Sequence, residues 1–180
     1  MVIESYAKIN LSLVVNKKLQ NGLHDLQSIF CLINLKDKIS IKKNKKKDKI
    51  YFKGPYSKDI NRTENSVSKL LRILRKKKLI SDFYSVTIFK KIPVFAGLGG
   101  GTGNAAIVLK HLVKKRDLNK KIYNIITKTV GSDLRLFLYK FGYLQNIKTV
   151  FKIDKKYKLN FLLVYPKIKN STKKVFSKVK

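Results

Sequence analysis

The chain has 180 residues, of which 44% are hydrophobic, enough for one folded domain or for one domain and part of another. No apolar run approaches the roughly 18 residues that a membrane-spanning helix needs, and residues 1–10 lack the basic start and apolar block of a signal peptide. With Cys31 as its one cysteine, the chain can form neither an internal disulfide nor a cysteine-rich metal site. These features favour a cytoplasmic protein.

The charge balance is strongly positive, because 42 Lys and Arg residues stand against 10 Asp and Glu residues and give a net charge of +32. Such a charge indicates either an anionic partner, such as a nucleic acid, or compositional drift toward residues with A/T-rich codons. The lysines are spread along the whole chain instead of gathering on one element, which favours drift. We therefore expect no specific nucleic-acid partner, although nucleic acids would be attracted non-specifically.

The first part of the chain predicts strands. Partial alternation predicts one strand over residues 8–15, and an apolar segment predicts a buried strand over residues 26–35. Residues 39–41 and 50–52 predict a further pair of strands, joined by a solvated hairpin loop over the lysine cluster at residues 42–49.

The second part of the chain mixes helices and strands. Its predicted elements are, in chain order, an amphipathic helix over 66–77, a strand over 83–89, a loop over 93–103 leading into a helix, a helix capped by Asn119 that ends before Gly131, and a strand over 160–165. Strands followed by mixed helices and strands indicate the α+β class.

The most informative segment runs from Lys90 to Ala106 and contains five glycines between Gly97 and Gly103. Glycines let backbone N–H groups converge without interference from Cβ, and a helix starting near Gly103 adds free N–H groups and the positive end of its dipole. A flexible linker is the alternative, but linkers are rarely followed at once by an amphipathic helix. The segment predicts a phosphate site, in which a side chain at Gly100 would occupy the space of the phosphate.

Two common glycine patterns do not account for this segment. It is not a P-loop, because no Gly-Lys followed by Ser or Thr ends it. Residues 101–106 match the dinucleotide fingerprint, but the acidic residue expected about 20 residues further on is absent.

The segment resembles the second motif of the GHMP kinase superfamily, Pro-x3-Gly-Leu-Gly-Gly-Gly. The matching positions are Pro93, Gly97, Leu98, Gly99, Gly100 and Gly101. Residues 7–11, Ala-Lys-Ile-Asn-Leu, resemble the first motif of the methylerythritol branch of this superfamily, and residues 131–137, Gly-Ser-Asp-Leu-Arg-Leu-Phe, are similar to its third. The three motifs occur in the order of the family.

A fourth segment supports the same branch. Residues 22–27, Gly-Leu-His-Asp-Leu-Gln, resemble its cytidine-recognition segment, although Leu23 replaces a tyrosine that would stack on the cytosine. The resemblance implies ATP-dependent phosphorylation of the 2-hydroxyl of a cytidine-diphosphate derivative of methylerythritol, a step of isoprenoid precursor synthesis.

The resemblance also implies a fold. Residues 1–155 would form an N-terminal α+β domain of the ribosomal-S5-domain-2-like type, which includes a left-handed β-α-β crossover. Residues 156–180 would form only the beginning of a second α+β domain, with ATP at the junction of the two domains.

Each site residue takes its implied role from the resemblance. Asp133 would accept the proton of the attacking hydroxyl, and Lys8 would hold Asp133 ionised and stabilise charge at the transferring phosphoryl group. Mg²⁺ would bridge the phosphates, with Thr102 as a candidate additional ligand. The implied ATP-binding residues are Asn65 and Lys90 beside the adenine, and Pro93, Gly97, Leu98, Gly99, Gly100, Gly101, Thr102 and Gly103 around the triphosphate. His24 would recognise the cytosine, and Phe176 would stack on it.

Three hypotheses remain open from the sequence. The chain is a kinase that has lost its second domain or borrows one from a partner or a second copy, a degraded remnant that binds nucleotide with little turnover, or a basic nucleic-acid-binding module on the same fold. If residues 160–165 are left uncovered, their apolar side chains would favour self-association.

Overall fold

The computed structural model describes residues 2–19, 24–146, 148–154 and 157–166. Within these ranges the strands are β1 (Val2–Asn10), β2 (Val14–Lys18), β3 (His24–Asn44), β4 (Lys49–Lys53), β5 (Phe83–Phe89), β6 (Phe141–Asn146) and β7 (Thr149–Lys152). The α-helices are α1 (Ser66–Lys76), α2 (Gly100–Leu112) and α3 (Lys120–Val130), and short 3-10 helices cover Lys115–Asp117 and Ser132–Leu138. The predicted α+β class is confirmed.

The sheet is built around β3, which has 21 residues and pairs antiparallel with β1, β2, β5 and β6. The path through the sheet is β4-β5-β3-β6-β7. Residues 38–40 of β3 pair with both β1 and β5, so these two strands flank β3 on opposite edges.

The strand pairing corrects two expectations. The predicted strand over 8–15 spans the end of β1 and the start of β2, and the strands predicted over 26–35 and 39–41 are one continuous strand, β3. The lysine hairpin is wrong, because β4 pairs in parallel with β5 instead of with residues 39–41. Alternation indicates that a segment is a strand but not which strand it pairs with. As a result, β4, α1 and β5 form a β-α-β unit, whose left-handed crossover stays a prediction.

Two helices begin at the residues that the sequence indicates. α1 starts from a capping box, in which Asn65 Oδ1 accepts from the N–H of Ser68 at 3.0 Å and Ser68 Oγ accepts from the N–H of Asn65 at 2.9 Å. Asn119 Oδ1 likewise accepts from the N–H of Ile122 at 2.9 Å at the start of α3, which ends before Gly131. The strand predicted over residues 83–89 coincides with β5.

Helices and sheet share one hydrophobic core. Its fully or nearly fully buried members include Val67, Leu70, Leu71 and Leu74 of α1, Val86 and Ile88 of β5, Ala105, Ala106, Val108 and Leu109 of α2, and Leu134 and Phe137 of the 3-10 helix over residues 132–138. Because this 3-10 helix is anchored through Leu134 and Phe137, Asp133 beside them has a defined position.

Residues 157–166 contain no helix or strand, so the strand predicted over 160–165 is wrong. Leu162 and Val164 are 91% and 82% exposed. Tyr165 ties the segment to the body of the protein, since its hydroxyl donates to the carbonyl of Val94 at 3.3 Å and its ring meets that of Tyr56 edge-on. Among the described residues, no helix has the length and apolar character needed to cross a bilayer.

Candidate functional site

A cavity of about 550 Å³ lies between the glycine loop and the segment before α1. Residues from four separate parts of the chain line it: Phe52, and residues within 59–67, 88–104 and 131–133. The site is therefore assembled by the fold from β4, the region of the α1 N-terminus, the end of β5 with the loop that leads to α2, and the 3-10 helix that follows α3.

The glycine loop ends in a helix earlier than the sequence predicts. α2 begins at Gly100, and Gly99 at φ 68° is its N-cap, whereas the sequence predicts a start near Gly103. Glycines disfavour helix, so their run predicts a longer loop, but packing overrides this preference here. The first N–H groups of α2 have no acceptor within the helix, and they lie beside the cavity at the positive end of the helix dipole.

The glycines have different neighbours. A Cβ at Gly99 or Gly103 would lie 2.6 Å or 2.8 Å from the ring of Phe137, so both glycines allow close packing of α2 on this ring. A Cβ at Gly100 would lie 3.0 Å from Ile92 and 3.2 Å from Lys90 Nζ. A side chain at Gly100 would therefore contact Ile92 and Lys90 first, and its effect on a bound phosphate stays a prediction. A Cβ at Gly97, where φ is 73°, would meet nothing within 4 Å, so Gly97 is the glycine whose substitution reaches open space beside the cavity.

Gly97 and Gly99 thus give a matched pair of variants. We expect Gly99→Ala to destabilise the protein by about 2–4 kcal/mol, because it adds a clash with Phe137 to the strain of a positive φ. Gly97→Ala carries backbone strain alone, about 1–2 kcal/mol, and is expected to fold and to bind inorganic tripolyphosphate more weakly. Urea denaturation and calorimetry measure the two effects. Equal loss of stability in both variants would contradict the packing difference.

Lys8 and Asp133 meet at the β1 side of the cavity. The Lys8 ammonium lies 3.1 Å from Asp133 Oδ2 and donates to Asn10 Oδ1 at 3.1 Å. The Lys8 side chain is 4% exposed and that of Asp133 is 42% exposed, so the carboxylate is accessible and the ammonium is enclosed. The N–H of Lys8 also donates to the carbonyl of Leu98 at 3.0 Å. The two charged groups, 125 positions apart in the sequence, therefore lie at ion-pair distance next to the glycine loop, as the sequence predicts.

Lys90 forms a buried ion pair with Asp37, a residue that the sequence analysis did not identify. Asp37 is fully buried and pairs with the Lys90 ammonium. Its Oδ1 accepts from the N–H groups of Lys91 (2.8 Å) and Ile92 (2.9 Å), and its Oδ2 accepts from Asn104 Nδ2 at 3.0 Å. Burial lowers the pKa of Lys90, and the charge of Asp37 opposes this shift. The Asp37 network joins β3, the start of the glycine loop and α2.

A sequence signal for Asp37 does exist. Asp37 and Ile39 are two residues apart in β3, so their side chains lie on the same face of the strand, and Ile39 is fully buried. A carboxylate at such a position must be satisfied by charge or hydrogen bonds, which indicates a buried network.

The structure places most of the predicted ATP-binding residues together. Asn65, Lys90, Pro93, Gly97, Leu98, Gly99, Gly100, Gly101 and Thr102 line the cavity. Gly103 is not among the lining residues and instead contacts Phe137. The Asn65 amide caps α1 and donates to the carbonyls of Asn61 and Arg62, while the Lys90 ammonium is paired with Asp37. Their adenine contacts stay predictions.

The cytosine-binding predictions have less structural support. His24 begins β3 and is not among the described residues that line the cavity. Leu23 and Phe176 lie outside the described residues. The roles of His24 and Phe176 stay predictions.

The oxygen donors beside the cavity suit a metal ion that arrives with phosphates. In the described part of the chain, no three His, Cys, Asp or Glu side chains are grouped as a metal site. Thr102 and Asp133 both line the cavity and offer a hydroxyl and a carboxylate oxygen. Mg²⁺ prefers oxygen ligands and is commonly held by one or two carboxylates and substrate phosphates, so these residues fit it.

The arrangement as a whole suits phosphoryl transfer. It combines backbone N–H donors for phosphate, an accessible carboxylate that can accept a proton, and a buried cation beside that carboxylate. Positioning and electrostatic stabilisation are the main requirements of this reaction.

Comparison with known proteins agrees with this chemistry. A curated 4-diphosphocytidyl-2-C-methyl-D-erythritol kinase of Pelagibacter ubique (strain HTCC1062) is 38% identical over 182 residues, covering 98% of this chain and 64% of the relative. A protein of the same name from Ureaplasma parvum serovar 3 is 33% identical over 184 residues, covering 99% of this chain and 69% of the relative. This chain therefore spans about two thirds of the length of these relatives. No protein-family model matches it.

Solved structures give the same fold. A crystal structure of 4-(cytidine 5'-diphospho)-2C-methyl-D-erythritol kinase matches with a TM-score of 0.57 and 26% identity, covering 77% of this chain and 48% of the other. A crystal structure of mevalonate kinase, 15% identical with a TM-score of 0.52, shares the fold alone.

Proposed function

Since this chain belongs to the family of 4-diphosphocytidyl-2-C-methyl-D-erythritol kinases, within the GHMP kinase superfamily, we propose that it transfers the γ-phosphoryl group of ATP to the 2-hydroxyl of 4-diphosphocytidyl-2-C-methyl-D-erythritol. The observation that carries this proposal is the Lys8–Asp133 pair beside the glycine loop. The product would be an isoprenoid precursor of the non-mevalonate pathway, and the proposed location is the cytoplasm.

Each residue of the site has a separate role in the proposed reaction. Asp133 accepts the proton as the substrate hydroxyl attacks, since its carboxylate is accessible from the cavity. Lys8 pairs with that carboxylate and lies where charge on the transferring phosphoryl group can be stabilised. The N–H groups at Gly100 and Gly101 bind phosphate oxygens. Mg²⁺ would neutralise phosphate charge, with Thr102 as a candidate oxygen ligand.

The division of the chain is part of the proposal. Residues 1–155 form the ATP-binding domain, and residues 156–180 begin a second α+β domain. The side chains of Leu162 and Val164 are apolar and exposed, which supports an interface at this segment with a partner protein or with a second copy of the chain.

A ligand-dependent assay tests the function. We expect Mg-ATP and cytidine diphosphate each to raise the melting temperature, and the protein to convert ATP to ADP when the methylerythritol substrate is present. Binding of ATP without substrate-dependent turnover would favour the remnant hypothesis. A thermal shift with RNA alone, lost steeply as salt rises, would contradict the kinase assignment and favour the nucleic-acid module.

A further inference from the structure

Phe95 is an aromatic residue with unusual backbone geometry at the wall of the cavity. It has a φ of 60°, is 52% exposed and is one of the lining residues. A positive φ is a genuine outlier for a bulky residue, and such strain clusters at ligand-binding sites. Gly97 and Gly99, which follow in the same loop, also have positive φ but take it without a Cβ penalty.

The two ends of the cavity differ in chemistry. The β1 end carries Asp133, which is paired with Lys8. The other end is bordered by Phe52 of β4 and Ile88 of β5, which are partners in the sheet register and lie across β3 from β1. Ile88 is fully buried and Phe52 is half-buried, so the apolar surface at the second end is that of Phe52, which suits the flat face of a nucleobase.

Phe95 belongs to the loop that leaves β5 and reaches the phosphate-binding glycines. Two residues separate it from Leu98, whose carbonyl accepts from Lys8. A nucleotide whose phosphates lie on the N–H groups of α2, with its reacting end at Asp133, must extend its base away from β1. This places the base beside the β4–β5 wall, within reach of the Phe95 loop.

We propose that the ring of Phe95 stacks on the base of the nucleoside triphosphate and so fixes the donor end of the cavity. The proposal rests on the proposed function, because it requires phosphates at the glycine loop. Stacking on an aromatic ring is tolerant of base identity, so Phe95 supplies affinity for a base in general and little selection between purines.

Calorimetry on the full chain tests this with two ligands, Mg-ATP and inorganic tripolyphosphate. We expect Phe95→Ala to weaken Mg-ATP binding about tenfold and to leave tripolyphosphate binding unchanged, because tripolyphosphate has no base. Phe95→Tyr should bind Mg-ATP like the unsubstituted protein. Phe89→Ala is the matched control, since Phe89 is 40% exposed on β5 but does not line the cavity.

A second variant separates stacking from backbone strain. Phe95→Gly also lacks the ring but accepts a positive φ, so it should lose the same ATP affinity as Phe95→Ala while melting about 2–4 °C higher than that variant. If Phe95→Ala and Phe95→Gly bind Mg-ATP as tightly as the unsubstituted protein, the stacking proposal is overturned. The stacking proposal is also overturned if the two variants bind cytidine diphosphate more weakly but bind Mg-ATP with unchanged affinity. Failure of the unsubstituted protein to bind tripolyphosphate would overturn the phosphate site itself, and with it both proposals.

Discussion

Replacing Asp133 by asparagine is expected to lower substrate-dependent turnover about 10²- to 10⁴-fold, the usual contribution of a positioned proton acceptor. The amide has the size of the carboxylate but cannot accept the proton of the attacking hydroxyl. Affinity for tripolyphosphate should change little, because the N–H groups proposed to bind phosphate belong to α2 and not to the 3-10 helix of Asp133. Steady-state kinetics and calorimetry on the same protein sample measure both quantities.

Two further variants make this result specific. Asp133→Asn leaves the enclosed Lys8 ammonium without its counter-ion. The melting temperature of Asp133→Asn, compared with that of the double variant Lys8→Met with Asp133→Asn, measures the instability from this unpaired charge, and turnover is compared only at temperatures where Asp133→Asn is folded. Asp117→Asn is the surface control, since Asp117 is half exposed and pairs with Arg116 outside the cavity. A turnover number within threefold of the unsubstituted protein in Asp133→Asn would contradict the assignment of Asp133 as the base.

Replacing Asp37 by alanine is expected to destabilise the folded protein by about 3–5 kcal/mol. The variant leaves the buried Lys90 ammonium without its counter-ion, and it removes the acceptor of the N–H groups of Lys91 and Ile92. Because Asp37 also holds Asn104 of α2, the glycine loop should lose its fixed position, and tripolyphosphate affinity should fall in the fraction that still folds.

Urea denaturation with Asp82→Ala as the control measures this effect. Asp82 also forms an ion pair, with Lys43, but both side chains are exposed, so its removal should cost no more than about 1 kcal/mol. Similar midpoints for Asp37→Ala and Asp82→Ala would show that the buried network contributes little to stability.

Local sequence signals predicted the local structure well. The amphipathic spacing of α1 and the Asn119 cap of α3 act between residues that are near in sequence, so these patterns can be recognised without the fold. The order of β4, β5 and β3 could not be predicted in this way. The lysine cluster between β3 and β4 indicated a hairpin, whereas the strands it connects are separated by β5, because α1 carries the chain back across the sheet.

The glycine segment also has features that the sequence predicted and features that only the tertiary structure explains. The sequence alone predicted that a glycine-rich loop precedes a helix, and its resemblance to the GHMP kinases predicted that Lys8 and Asp133 lie beside that loop. Only the tertiary structure decided why individual glycines are needed: Gly99 and Gly103 make room for Phe137, Gly100 for Ile92, and Gly97 lies open beside the cavity. It also revealed the Asp37 network. Close packing and the partners of a buried charge depend on residues brought together from distant parts of the chain. A local pattern could indicate that Asp37 is buried, but it could not specify Lys90 and Asn104 as its partners.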